Sequence, residues 1–348
     1  MPRPYLPFVD WLKAVGLALI VFGHVDHGLI ATATPPFYPK QLGVTMFLFA
    51  TGYTLATERR GGLRTVITRW FDVWAYGLLC ALLMSAYLIV RIGDINASNY
   101  LPLAGGLNVL VNDFPANPTT WYIGTYLHLL VVWAVLFRGR AVGRAAIVAA
   151  VAVEIAARAL LVPQFGQFVA YQSLFNWLAV LVFGLYAGQR ELRPPVWAAA
   201  AGVLFIVVWP LVIWRLEWSG GFPFRVPLFG PAGAAWWLLS LCVSAGYLGY
   251  TASAFAVLSR FPAPAIVRFF ARNTLIVFVA HMPLYRGLEA ALTGKIDRVP
   301  LALTEFAICF VGLALVSEVL RPRLQPVIDA ARARALRLIP EDYGSANT

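Results

Sequence analysis

The chain has 348 residues, of which 60% are apolar and only 12% charged, about half the charged share of an ordinary soluble domain. Apolar runs of bilayer-crossing length recur from Phe8 to Leu320, and no hydrophilic stretch is large enough for a separate soluble domain. The expectation is one membrane domain over 1–320 and a basic cytoplasmic tail over 321–348. The net charge of +11 does not argue for nucleic acid, because the basic residues are scattered through short connections rather than gathered on one face. Cys80, Cys242 and Cys309 each lie inside an apolar run, which gives neither a disulfide framework nor a metal-ligand spacing.

In chain order, the first apolar stretch follows Arg3, and Ala31-Thr32-Ala33 has the small residues of a cleavage site. Against a signal peptide, Asp10, Lys13, His24, Asp26 and His27 put polar groups where an uncharged region belongs. The stretch is therefore read as a first span over 8–30. Further spans are predicted over 41–57, 70–91, 121–138, 143–162, 173–189, 196–214, 232–258, 273–290 and 301–320. The runs are continuously apolar rather than alternating, so they predict an all-α bundle of about ten transmembrane helices and not a barrel.

Lys and Arg set the orientation. With the N-terminus inside, the inner connections carry Arg59, Arg60, Arg64 and Arg69, then Arg138, Arg140 and Arg144, then Arg190 and Arg193, then Arg260, Arg268 and Arg272, then the arginines of the tail. The outer connections carry the smaller set Lys40, Arg91, Arg215, Arg225, Arg286, Lys295 and Arg298, so both termini are expected in the cytoplasm. The outer connection 92–120 contains Leu101–Val111, too short to span but able to dip into the interface. The tail after Arg321 alternates arginine with alanine and leucine and reads as an amphipathic helix on the inner membrane surface.

A charged group inside a span costs at least about 2.5–3.5 kcal/mol on insertion scales, so each marks a candidate site. Lys13 and His24 are eleven residues apart, which is about 20° from alignment on a helix and roughly 16 Å along its axis. They share one face at two depths. Asp10, three residues before Lys13, is placed to pair with its ammonium at the cytoplasmic end. His24, in the outer half, is an imidazole able to take a proton from an external hydroxyl. The plainer alternative has Lys13 snorkelling to the inner headgroups and His24 bonding a neighbouring helix. His128 and His281 fall at depths that would let all three histidines meet in the middle-to-outer bundle.

Asp26 and His27 lie nearer the outer surface, where they would contact an acceptor or orient His24; the sequence supplies too few further ligands for a metal. Glu154 and Arg158 are four apart in the fifth span and read as a structural ion pair. Trp121 fits an interfacial anchor better than a sugar platform, and His281 either orients the site or satisfies a helix contact.

Asp10-Trp11-Leu12-Lys13 through Phe22-Gly23-His24 resembles the first-helix motif of the membrane-bound acyltransferase-3 family, in which a basic residue is followed by ten positions and then histidine. Many members have arginine where this chain has Lys13, and the version here looks most like the fucose O-acetylase-like branch. Phe47-Leu48-Phe49-Ala50-Thr51-Gly52-Tyr53 resembles the second-helix signature, and Arg60, Arg64 and Arg69 the basic approach to the third. Thr120-Trp121-Tyr122-Ile123 resembles the aromatic opening of a middle helix, and Leu275 through His281-Met282-Pro283-Leu284 the late helix with His-x-Pro. The segment 140–260 matches by hydropathy alone.

The resemblance implies transfer of an acyl group, usually acetyl from acetyl-coenzyme A, across a bacterial inner membrane onto a hydroxyl of an extracytoplasmic sugar, glycan or sugar-lipid. It implies no permanently bound cofactor, acyl-CoA being the co-substrate. On this reading Asp10, Lys13 and His24 serve the reaction, with Lys13, Arg60, Arg64 and Arg69 at the donor phosphates. Asp26, His27, Trp121, Tyr122, His128 and His281 shape the acceptor side. His24 acts as general base, in preference to a covalent acyl-histidine route. A transporter or flippase for a sugar, glycolipid or other small polar substrate is the competing reading, since intramembrane charges also build permeation paths. A scaffold would leave Lys13 and His24 closely packed.

Overall fold

Continuous apolar sequence folds as helix because the bilayer offers no partners for a bare backbone. The computed structural model, which describes residues 5–25, 39–58, 60–93, 100–111, 118–215 and 233–339, is accordingly helical almost throughout, with a single isolated bridge between Thr293 and Ile296. Asp26 and His27, assigned above to the acceptor side, and Arg59 lie outside the described residues.

The helices are α1 (Pro7–Val25), α2 (Pro39–Leu55), α3 (Gly62–Ile92), the short α4 (Tyr100–Ala104), α5 (Trp121–Val132), α6 (Arg144–Gln172), α7 (Leu178–Gln189), α8 (Val196–Arg215), α9 (Gly233–Leu258), α10 (Ala265–Leu292), α11 (Arg298–Phe306) and α12 (Leu313–Arg337). Wider π turns continue α5 through Trp133–Phe137 and join α11 to α12 through Ala307–Gly312. Among the described residues, six helical stretches are long and apolar enough to cross a membrane: Pro7–Val25, Gly62–Arg91, Arg144–Gly166, Ser240–Leu258, Ala265–Leu292 and Arg298–Arg337. Trp121–Phe137, Leu174–Gln189 and Val196–Val208 are shorter apolar helices, and α2 has 17 residues. The chain is thus an all-α, multi-pass membrane protein. Length and apolarity mark six of the ten expected spans as full crossings.

The centre of the bundle is α1, packed against α2 and α10 and touching α9 and α11, with α2 held on its other side by α7. Glycine permits this proximity, as expected where helices have no water-driven reason to associate and depend on close van der Waals contact. A Cβ at Gly16 of α1 would lie 2.9 Å from the Gly43 carbonyl oxygen, and one at Gly43 would overlap the Gly16 carbonyl. On the opposite side of α2, Gly52 meets the Leu181 carbonyl of α7, and Gly184 and Gly188 of α7 meet the Phe49 and Tyr53 carbonyls. The aromatic signature of α2 fills the remaining space: Tyr53 packs edge-on to Phe8 at 4.9 Å, and Phe49 lies 5.0 Å from both Phe183 and Phe255.

Glu154 and Arg158, each 1% exposed, form the polar lock of the second half. The guanidinium donates to Asn176 Oδ1 at 2.8 Å, to the Ser240 carbonyl at 2.9 Å and hydroxyl at 3.2 Å, and to Ser244 Oγ at 2.8 Å, and meets Glu154 at 3.4 Å. The carboxylate accepts the Ala179 backbone N–H at 2.8 Å and the Ser244 hydroxyl at 2.5 Å. A buried ion pair survives only when its remaining hydrogen-bonding capacity is used, and this one ties α6 to α7 and α9.

On the other flank α10 packs against α3 and α12. Asn273 donates to Glu318 at 2.7 Å and accepts from Ser317 at 2.8 Å. The α12 helix continues into the basic tail as far as Arg337, and Arg332 ties it to Asp72 of α3 at 2.6 Å.

Candidate functional site

His24 is the penultimate residue of α1, and His281 lies sixteen residues into α10, a helix that runs beside α1. The chain thereby brings two imidazoles to the same depth. Their ring centroids are 4.9 Å apart, and His281 Nε2 is 3.1 Å from His24 Nδ1. The same His24 Nδ1 is 2.8 Å from the Ile20 carbonyl oxygen one turn earlier. His281 Nδ1 is 2.7 Å from the Phe278 carbonyl oxygen and 3.3 Å from that of Val277. His281 is fully buried, whereas His24 retains accessible surface. One imidazole of the pair is therefore reachable and the other is enclosed behind it.

The wall of this pair is aromatic. Phe278, one turn before His281, meets Tyr122 edge-on at 5.0 Å, and Tyr122 stacks on Tyr126 at 5.6 Å. Phe22 meets Phe306 of α11 at 5.9 Å, and the Cys309 thiol contacts the His281 carbonyl at 3.7 Å. Gly23 lets the start of α2 close over this end of α1: a Cβ there would lie 2.9 Å from both the Lys40 nitrogen and Pro39. Lys40 is close enough to act on His24 electrostatically. Glu305 of α11, fully buried four residues before Cys309, was absent from the sequence expectations. The signal that marked it was a carboxylate in the middle of the last apolar run, thirteen residues before Glu318.

Near the N-terminal end of α1, Lys13 is exposed although Leu12 and Ala14 beside it are buried. Its charged neighbours are Asp10 and Arg69. Asp10 accepts a direct hydrogen bond from the Tyr5 hydroxyl at 2.7 Å and stands beside Lys13 as a nearby opposite charge rather than as its hydrogen-bond partner. Arg69, on α3, donates to the Thr54 hydroxyl at 2.9 Å and carbonyl at 3.2 Å and lies 3.7 Å from Glu58. Arg69 and Thr51 also bond the Tyr126 hydroxyl. Arg60 pairs with Glu58 at 3.2 Å at the surface, and Arg64 is half-buried on the first turn of α3.

The two ends are connected along α5. Arg69 reaches Tyr126, Tyr126 stacks on Tyr122, and Tyr122 packs on Phe278 beside His281. His128 does not join the other two histidines. It lies two residues past Tyr126, about 200° around the helix, and its ring bonds the Gly106 backbone just after α4. Trp121 stacks with Trp177, which stacks in turn on Tyr247. That column lies between α5 and α9, inside the bundle rather than at its lipid edge. A groove of about 410 Å³ lined by Phe183, Trp197, Phe205 and Phe255, with Arg193 at its edge, takes no residue from α1 or α10 and is separate from the histidine pair.

The site thus pairs a reachable imidazole, backed by a second one, with a cation, Lys13, about 16 Å away on the same helix. No curated protein and no solved structure matches the chain. The family model described as an acyltransferase domain matches residues 6–320, nearly the whole chain including both ends of this site, without separating the branches of the family. The chain therefore belongs to the acyltransferase-3 family and is a multi-pass membrane acyltransferase.

Proposed function

We propose that the protein is an O-acyltransferase that takes an acyl group, most simply acetyl, from acyl-CoA in the cytoplasm and places it on a hydroxyl of an extracytoplasmic sugar, glycan or sugar-lipid. The observation that carries this reading is the division of α1. Its inner end holds Lys13 beside Arg69, and its outer end holds the accessible His24. Cations suit the donor's phosphates, and Arg69, held by Thr54 and Tyr126, presents a fixed guanidinium for such contacts. Arg64 and Arg60 extend the same basic surface.

From there the thin pantetheine arm would run outward beside Tyr126 and Tyr122 to bring the thioester to His24. His24 acts as general base toward the acceptor hydroxyl, a role that typically contributes about 10²- to 10⁴-fold in rate. The family assignment favours transfer over transport as the use of these intramembrane polar groups.

Sidedness is the test. Purified protein in liposomes, with acetyl-CoA enclosed on the side of the α1 N-terminus and methyl glycosides outside, is expected to yield acetylated sugar outside and free coenzyme A inside. Acetylated sugar that appears only when both substrates share one compartment would refute transfer across the membrane.

A further inference from the structure

We infer that His281 is a positioning residue for the reaction: it holds His24 in the one tautomer that leaves Nε2 free to accept a proton. The inference rests on the reading of His24 as general base, and the geometry that carries it is independent of any ligand.

A backbone carbonyl oxygen can only accept a hydrogen bond, so a ring nitrogen in hydrogen-bond contact with one carries the proton. His281 Nδ1 is 2.7 Å from the Phe278 carbonyl oxygen, so the proton is on Nδ1 and, in the neutral ring, Nε2 is a bare acceptor. That acceptor faces His24 Nδ1 at 3.1 Å. His24 Nδ1 in turn lies 2.8 Å from the Ile20 carbonyl oxygen, so it too carries the proton and shares it between Ile20 and His281. Two acceptors thus converge on His24 Nδ1–H, and the lone pair of the accessible ring is left on Nε2. No other tautomer of the pair satisfies all of these contacts. The full burial of His281 fits a ring that orients another and is not itself a reactant.

During transfer, the acceptor oxygen forms a bond to the thioester carbonyl carbon while its proton moves to His24 Nε2. The imidazolium that results keeps its Nδ1–H against the His281 lone pair, which stabilises the charge where water is scarce. The carbon–sulfur bond then breaks with its electron pair on sulfur, and the thiolate takes the proton from His24. The products are the ester, free coenzyme A and neutral His24.

The chain has four histidines, so selective ¹⁵N-histidine labelling in proteoliposomes resolves the arrangement. A coupling across the hydrogen bond between a protonated Nδ1 and a bare Nε2 of two different histidines is expected in the wild type and is lost in His281→Phe. With acetyl-CoA and a mixture of methyl glycosides, His281→Phe is expected to lower kcat by about 10- to 100-fold, the loss typical when the partner orienting a working imidazole is removed. The KM for acetyl-CoA should be unchanged. His281→Gln, whose amide oxygen reaches the position of Nε2, should keep most of the activity.

Absence of the coupling, with the proton on His281 Nε2, overturns the inference. So do equal losses in the Phe and Gln variants, which mark a purely structural ring, and full activity in both. Full activity in His24→Ala with the coupling present in wild type would instead overturn the general-base reading and leave the hydrogen-bonded pair standing.

Discussion

Replacing Arg158 by methionine removes the centre of the polar lock while keeping much of its volume. The guanidinium makes four hydrogen bonds to other segments, to Asn176 Oδ1, the Ser240 carbonyl and hydroxyl, and Ser244 Oγ. At about 0.6 kcal/mol for an average interhelical hydrogen bond in a membrane protein, these contribute roughly 2–3 kcal/mol. The variant also leaves Glu154 as a carboxylate at 1% exposure with no cation beside it, and breaking a buried pair in this way typically costs about 3–5 kcal/mol in all. At about 2 °C per kcal/mol for a large domain, the detergent-solubilised protein should unfold roughly 6–10 °C lower than wild type. The double variant Arg158→Met with Glu154→Gln removes the stranded charge and should recover at least half of that shift. Thermal unfolding followed by thiol labelling or light scattering reads the result. A single variant as stable as wild type, or a double variant no better than the single, would refute the claim that this pair holds α6, α7 and α9 together.

Gly43→Val should force α2 away from α1, at a cost of about 1–3 kcal/mol for overpacking, and lower both unfolding temperature and acyl transfer. Gly287→Val, at a site with nothing within 4 Å of an added Cβ, is the control and should lose far less. Lys13→Ala and Arg69→Ala each remove a cation of the proposed donor site, and with about 1.5–3 kcal/mol for a hydrogen bond to a charged group each should raise the KM for acetyl-CoA about 10- to 100-fold. An unchanged KM in both, measured by coenzyme A release against donor concentration, would remove this pair of cations from donor binding.

The arrangement of α1 was legible because helical geometry converts eleven residues into one face and two depths, and every membrane helix obeys that conversion. Glu154 and Arg158 were legible for the same reason, since four residues place both groups on one stripe. What sequence spacing lacks is the rotation of each helix against its neighbours. His128 has the right depth to meet His24, yet the face of α5 that turns inward is that of Tyr122 and Tyr126, so His128 points to Gly106 instead. The expected Asp10–Lys13 contact met competition from outside its helix, because the Tyr5 hydroxyl reaches the carboxylate.

Arg69 was expected among the donor arginines, but its clasp on Thr54 and Tyr126 joins α2, α3 and α5 through side chains on different helices and has no local signature. The same holds for the His24–His281 contact, which spans 257 positions. Trp121 illustrates the limit of composition. A tryptophan at a predicted span end reads as an interfacial anchor, but Trp177 and Tyr247 offer it a stack within the bundle.

The measurement closest to the central claim is coenzyme A release by the reconstituted protein, with acetyl-CoA and methyl glycosides, for wild type and His24→Ala. The account predicts acceptor-dependent release by wild type and a loss of about 10²- to 10⁴-fold in the variant, with acetyl-CoA binding retained through Lys13 and Arg69. Undiminished release by His24→Ala would contradict it.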